Sequence, residues 1–434
     1  MTLANDPTDL ETPAAPTERR ARPRRRRGRL VDQPRAPLEL TLTGMAHGGY
    51  ALGHAPDGRV VFVSYGIPGE RVIAEVTGEA PNYLQATVVR ILEASPHRVE
   101  PRCGYFGRCG GCQLQHIEYD EQLRLKTAIV DEQLRRIGRF DDPPVLDMIG
   151  MDDPWGYRNH MRFTVRRDGD VGFMERGTHR FLRIAHCDIA LAAVNESLSL
   201  MQGRTFGTRQ ASIRVGERTG DVLVQPALQW RPGPRRRLRS GQRAYTEELL
   251  GKTYRVSASA FFQVNTRQAE RLVELALERL LELNPSVVVD AYSGVGTFAA
   301  QLASSVPRVV TIEAQAAADD DAAVNLAGFD NVTRLVGSVE ALLPGLEPSP
   351  DAVVIDPPRA GVERAVIDAI IASKTTRLVY VSCEPSTLAR DLRLLVDGGF
   401  ALREVQPVDM FPHTQHIECV STLDRVRSAP SATT

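Results

Sequence analysis

The feature that most constrains this chain is a set of short Val/Ile-rich runs in its C-terminal half. Val287–Asp290, Val309–Glu313, Ala352–Asp356 and Leu378–Ser382 are continuous apolar stretches, not alternating ones. Continuous runs mark strands buried on both faces, and helical intervals between them imply parallel pairing with helices above and below. The fold class this predicts is α/β, a doubly wound, Rossmann-like sheet. An amphipathic helix precedes it, with Ala269, Leu272, Val273, Ala276, Leu277, Leu280 and Leu281 on one stripe and Asn284-Pro285 as its stop. The last two runs, Leu402–Val408 and Ile417–Leu423, have no helix between them and predict an antiparallel hairpin at the sheet edge.

The rest of the 434 residues divides by composition. Residues 1–37 hold six prolines and the Arg-rich run Arg19–Arg29, which cannot bury a core and reads as a disordered basic arm. Residues 38–93 carry about five short strand-like runs separated by turns such as Gly48-Gly49 and Pro56-Asp57-Gly58, the pattern of a small oligonucleotide-binding-type β-barrel. Residues 94–254 read as a central α+β unit with basic loops, opening on a cysteine cluster and a helix that carries Leu123, Thr127, Val130, Leu134 and Ile137 and stops at Gly138. The sheet unit then spans 255–427, and 428–434 form a flexible tail.

Charge follows the same division. Residues 1–250 hold 37 Lys+Arg against 31 Asp+Glu, or +6; residues 251–434 hold 16 against 23, or −7. A basic half joined to an acidic half suits a nucleic-acid partner. No stretch of 18 apolar residues exists and the first residues carry no apolar signal segment, so a cytoplasmic protein without a membrane partner is expected. Nothing demands an obligate protein partner, and a monomer is the default.

Five motifs carry chemistry. In Val287–Phe298 a buried strand ends in Asp290, and a turn with Gly294 and Gly296 then opens a helix. Ala299 stands where a dinucleotide fingerprint needs its third glycine, while Glu313 closes the next strand where an acid can hold ribose hydroxyls; this suits S-adenosylmethionine better than NAD. Asp356-Pro357-Pro358-Arg359 puts a stiff loop at the same sheet edge. Cys383 leaves a buried strand where a helix begins, so amide dipoles there would lower its thiol pKa and favour a nucleophile over an inert core cysteine. Glu418, in an apolar strand shared with His416, is costly unless paired or working, while Cys419 reads as core. Finally, Cys103-x5-Cys109-x2-Cys112 with Cys187 downstream suggests a metal site. Its spacing departs from the paired C-x2-C of a zinc ribbon and leans toward iron–sulfur.

Together these residues resemble the TRAM-containing RNA uracil-5-methyltransferases, the 5-methyluridine synthases of ribosomal and transfer RNA. The most specific matches are Ser382-Cys383-x-Pro385-x-Thr387-Leu388-Ala389-Arg390-Asp391, Asp409-Met410-Phe411-Pro412-His413-Thr414-x-His416-x-Glu418, and Phe261-x-Gln263-Val264-Asn265. The resemblance covers residue 38 to about 427. It implies a TRAM domain at 38–93 and a [4Fe-4S] cluster on Cys103, Cys109, Cys112 and Cys187. It also implies S-adenosylmethionine contacts from Gln263, Tyr292, Thr297, Glu313, Ser338 and Asp356. Thr297 and Ser338 stand where relatives commonly carry Asn, and Glu384 replaces an Asn after the nucleophile.

The implied chemistry is covalent. Cys383 adds to uracil C6, C5 takes the methyl group, and Glu418 removes the C5 proton. The base must be flipped out of any stack, with Phe261 as a stacking surface and His416 and Arg359 as positioning groups. The expected substrate is 23S ribosomal RNA, with the transfer RNA TΨC-loop uridine as the alternative. A 5-methylcytosine enzyme would call for a second cysteine where Glu418 stands. Amino-group methylation at Asp356-Pro357-Pro358 leaves Cys383 idle, and an inactive RNA-binding iron–sulfur scaffold predicts damaged catalytic positions.

Overall fold

The computed structural model describes residues 36–232 and 236–426. The expected tail, and the expected arm apart from residues 36 and 37, lie outside the described residues. No helix among the described residues is long and apolar enough to cross a membrane.

Six N-terminal strands, Leu38–Thr41, Gly44–Ala46, Tyr50–His54, Val60–Ser64, Arg71–Glu79 and Tyr83–Glu93, form one sheet. Alternate residues such as Leu40, Val61, Val63, Val72, Ala74, Leu84 and Ala86 point inward and make its core. The expected runs at Leu38–Leu42, Val60–Val63, Val72–Val76 and Ala86–Ile91 each fall on a strand; the sequence does not single out Gly44–Ala46, three half-buried residues with no apolar alternation, or Tyr50–His54.

In the middle of the chain, helix Tyr119–Arg136 is followed by a five-stranded sheet built on His160–Val165 and Gln210–Val215. Helix Ala192–Met201 covers that sheet through Val194, Leu198 and Met201. Of the expected stripe on helix Tyr119–Arg136 only Val130 and Leu134 are buried, while Leu123, Thr127 and Ile137 are half-buried; the buried face is completed by Leu125 and Ile129 and by the polar Gln122, Lys126 and Gln133. Lys126 is tolerated because its Nζ lies 2.7 Å from Asp409 Oδ1, in a pair that is 1% and 0% exposed. The hairpin Ala244–Leu249/Lys252–Ser257 packs Tyr245, Tyr254 and Val256 into the same core as helix Thr266–Leu281.

The C-terminal sheet has seven strands: β1 (Val287–Ala291), β2 (Arg308–Glu313), β3 (Val332–Val336), β4 (Ala352–Ile355), β5 (Arg377–Ser382), β6 (Phe400–Val408) and β7 (Glu418–Arg425). Their order is β3-β2-β1-β4-β5-β7-β6, parallel from β3 to β5, with β7 antiparallel to both its neighbours. Successive residues enter opposite layers. Val288, Val309, Val354 and Val379 face helix Thr266–Leu281, whereas Val289, Val310, Val353 and Leu378 face helices Arg364–Ala372, Pro385–Asp397 and Tyr119–Arg136. The doubly wound expectation is therefore met, with two differences. β3 is an added edge strand, and β7 inserts beside β5, leaving only β6 at the far edge.

Candidate active site at the carboxyl edge of the sheet

Parallel strands deliver their C-terminal loops to one edge, and there the acids gather. After β1, Tyr292 (φ 62°), Gly294 (φ 55°) and Gly296 (φ 85°) all take left-handed conformations. Gly296 is doubly constrained, since a Cβ there would sit 3.0 Å from Leu326 Cδ1. This tight turn brings the Gly294 amide to Glu313 Oε2 at 2.8 Å, while Glu313 Oε1 accepts from the Gln315 amide at 2.6 Å. Buried Asp290 accepts from the Ala299 amide at 2.9 Å. Burial, with the charges of Asp356 and Glu313 beside it, pushes Asp290 up to about 7. Burial also pushes Asp356 up to about 7. The Tyr292 hydroxyl donates to Glu340 at 2.9 Å, which ties the β1 loop to the loop after β3 that carries exposed Ser338. Thr297 starts the helix after Gly296, its carbonyl accepting from the Tyr254 hydroxyl at 3.3 Å. The sequence marks Asp290 only as the end of a strand, outside the expected contacts; its signal is an acid inside an otherwise apolar run.

The second cluster forms at β5 and β7. Ser382, the last residue of β5, pairs with Cys419 across the antiparallel ladder, so Cys383, just past the strand end, stands beside Glu418 at the start of β7 and feels its charge. Glu418 is buried, and burial with the Asp356 charge pushes its carboxyl well above the usual range, against the pull of Arg359. Cys383 is pushed up to about 11, first by burial and then by Glu418, although the Arg359 guanidinium opposes this with a hydrogen bond to the thiol. The helix start therefore does not depress this thiol as expected: burial, with the charges of Glu418 and Asp356 added to it, outweighs a terminal dipole. His416 lies in the loop before β7 and not on the strand with Glu418; its Nδ1 is 3.4 Å from Arg359 Nη2. Cys419 is fully buried core, as read.

The motif around Cys383 holds the Asp356–Arg359 loop in place. Asp391 is buried and accepts from the Val362 amide at 3.1 Å and the Tyr380 hydroxyl at 2.8 Å. The Thr387 hydroxyl donates to the Arg359 carbonyl at 3.2 Å, and Arg390 Nη2 to that of Ala360 at 3.1 Å. Gly361 (φ +75°) permits this approach, because a Cβ there would lie 2.3 Å from Asp391 Oδ2. The Asp409–His416 loop is held likewise. Asn265, which caps helix Thr266–Leu281, donates to the Met410 carbonyl at 3.1 Å and so fixes the Gln263 loop beside it. Phe261 stands out from that loop 67% exposed, the most exposed large apolar side chain among the described residues.

Cys103, Cys109, Cys112 and Cys187 all line one cavity of about 410 Å³, with Phe106, Met161, Phe173 and Arg158. Burial pushes Cys112 up to about 12 and Cys187 up to about 11, and the other thiols of the set add to both shifts. Thr414 and His416 line the same cavity, which links it to the loop before β7. Among the described residues, no three His, Cys, Asp or Glu side chains come close enough to hold a metal ion, so the expected metal site is not formed in this conformation. The thiols face one space without converging.

Comparisons with known proteins agree with this arrangement. The TRAM domain model matches residues 33–89, and the tRNA (Uracil-5-)-methyltransferase model matches residues 348–426, which hold Asp356, Cys383 and Glu418. An uncharacterized RNA methyltransferase of Gloeobacter violaceus is 36% identical, covering 89% of this chain and 96% of its own length. Another, from Halalkalibacterium halodurans, is 35% identical with the same coverage. The crystal structure of the Pyrococcus abyssi tRNA (uracil-54, C5)-methyltransferase in complex with S-adenosyl-L-homocysteine superposes with a TM-score of 0.68 at 25% identity, over 89% of this chain and 99% of that one. With two motif clusters at one edge of the sheet and an N-terminal TRAM domain, the chain belongs to the family of TRAM-containing RNA uracil-5-methyltransferases.

Proposed function

We propose that this enzyme methylates C5 of a specific uridine in RNA through a covalent adduct on Cys383, with S-adenosylmethionine as methyl donor. The observation that carries this is the ladder register that sets Cys383 beside buried Glu418. S-adenosylmethionine supplies an electrophilic methyl group on a sulfonium, a cation suited to an edge bearing Asp290, Glu313 and Asp356. Tyr292, Thr297, Ser338 and Gln263 complete the proposed contacts, and the ligand bound by the Pyrococcus abyssi relative supports this assignment.

The protein's own groups then divide the work. Uracil C5 is a weak carbon nucleophile until a thiolate adds to C6 and pushes electron density onto C5 and O4. Arg359, hydrogen-bonded to the Cys383 thiol, favours the ionised form against the burial that raises it. Once C5 carries the methyl group, its proton must leave before the C6–sulfur bond can break. Glu418 is placed to take it, and a carboxyl held above its ordinary range is a stronger base once ionised. Exposed Phe261 offers a face for the flipped base.

The four cysteines are proposed to hold a [4Fe-4S] cluster. An all-sulfur donor set around one cavity supports it. It would supply a structural anchor for loop 103–112, and no step of the methyl transfer is assigned to it. As substrate, 23S ribosomal RNA is favoured by the combination of TRAM domain and cysteine set. A second reading, a transfer RNA uridine, is supported by the similarity to the tRNA (uracil-54, C5) enzyme over nearly its whole length. The test is to incubate purified protein with S-adenosylmethionine and transcripts of each RNA and to map products by mass spectrometry. One 5-methyluridine in one transcript is expected; methylation on a base nitrogen or a cytosine would overturn the assignment.

A further inference from the structure

The N-terminal sheet reaches the Cys383 loop directly. Its turn His47-Gly48-Gly49 joins strands Gly44–Ala46 and Tyr50–His54, with both glycines in left-handed conformations (φ 105° and 71°). A Cβ on Gly49 would lie 3.2 Å from Gln113 Cβ and 3.4 Å from Gln415 Cβ, so the turn is packed against both the cysteine-bearing loop and the loop before β7. From this turn His47 Nε2 comes to 3.3 Å from Glu384 Oε1. Glu384 follows Cys383, caps helix Pro385–Asp397 and accepts from the Ser386 hydroxyl at 2.8 Å. His47 and Ser386 hold its carboxyl down at about 2, so it is ionised. His47 Nδ1 is buried without a hydrogen-bond partner, an arrangement that costs stability.

We propose that His47 is a positioning residue for methyl transfer, acting through Glu384 to hold the Cys383 loop at the distance addition to C6 requires. The TRAM domain then contributes to the rate of the chemical step as well as to RNA binding. The inference rests on the reading of Cys383 as nucleophile. A nucleophile misplaced by about 1 Å loses about a hundredfold in rate, and loosening one of several anchors gives part of that.

The experiment compares wild type, His47→Ala, His47→Gln, Glu384→Gln and the double variant His47→Ala/Glu384→Gln. It measures methyl transfer and the rate of adduct formation with 5-fluorouridine-substituted transcripts of 23S ribosomal RNA and transfer RNA. His47→Ala should lower kcat and the adduct rate about tenfold, with KM for RNA unchanged. His47→Gln, which keeps a donor, should recover most of that loss, and the double variant should be no slower than His47→Ala. An unchanged kcat, a loss confined to KM, failure of Gln to rescue, or additive losses in the double variant would overturn the inference alone. Absence of an adduct from the wild type would instead remove the nucleophile reading, and this inference with it.

Discussion

With the proposed cofactor contacts, the two carboxyls raised to about 7 at the sheet edge would make S-adenosylmethionine binding a proton-linked event. At pH 7 a carboxyl titrating at about 7 is about half protonated, so Asp290 and Asp356 together carry about one proton. A sulfonium bound beside them favours their ionised forms. S-adenosylmethionine binding should therefore release about one proton at pH 7 and only about 0.2 at pH 8, where each group is about nine-tenths ionised already. Asp290→Asn keeps an oxygen for the Ala299 amide and removes one titrating group, so it should cut the release at pH 7 to about half. The assay is isothermal calorimetry in phosphate and Tris, whose ionisation enthalpies differ; the slope of observed heat against buffer enthalpy is the proton count. S-adenosylhomocysteine, with a neutral sulfur, serves as the control and should release less. No buffer dependence at pH 7, or an Asp290→Asn slope equal to wild type, would refute the reasoning.

Three further outcomes are expected. Glu418→Gln should lower kcat by about 10²- to 10⁴-fold and accumulate a methylated covalent RNA adduct, seen as a denaturation-resistant band on gels; normal turnover would exclude Glu418 as the base. Lys126→Met leaves Asp409 buried and uncompensated, and should destabilise the fold by about 3–5 kcal/mol in urea unfolding, with Asp409→Asn in the same chain recovering part of it. Protein prepared anaerobically should contain about four iron and four sulfide per chain, and Cys112→Ser should lose most of it; stoichiometric zinc instead would contradict the cluster.

What was legible in the sequence depended on how local its physical cause was. β1, β2, β4 and β5 are buried on both faces and announce themselves as Val/Ile runs, whereas β3 is an edge strand whose Thr333, Arg334 and Val336 face solvent. Cys383 and Glu418 could each be singled out from their own segments, but their adjacency depends on β7 inserting beside β5. The direction of the Cys383 shift went the other way for the same reason. A helix start is visible locally, while the burial that dominates the shift, and the Glu418 and Asp356 charges that add to it, come from the packing of other strands. Lys126 and Asp409, 283 residues apart, and His47 with Glu384 are pairings no periodicity encodes. The four cysteines could be grouped by spacing, and the structure does bring them to one cavity, without the convergence a single-ion site requires.

The central claim, that Cys383 attacks a uridine in RNA, is tested most directly by tryptic mass spectrometry of protein incubated with S-adenosylmethionine and 5-fluorouridine-substituted RNA. Fluorine at C5 cannot be removed as a proton is, so the intermediate should be trapped. A methylated fluorouridine covalently attached to the peptide bearing Cys383, and no adduct from Cys383→Ala, is the predicted result. An adduct on another residue, or one that persists in Cys383→Ala, would contradict the account.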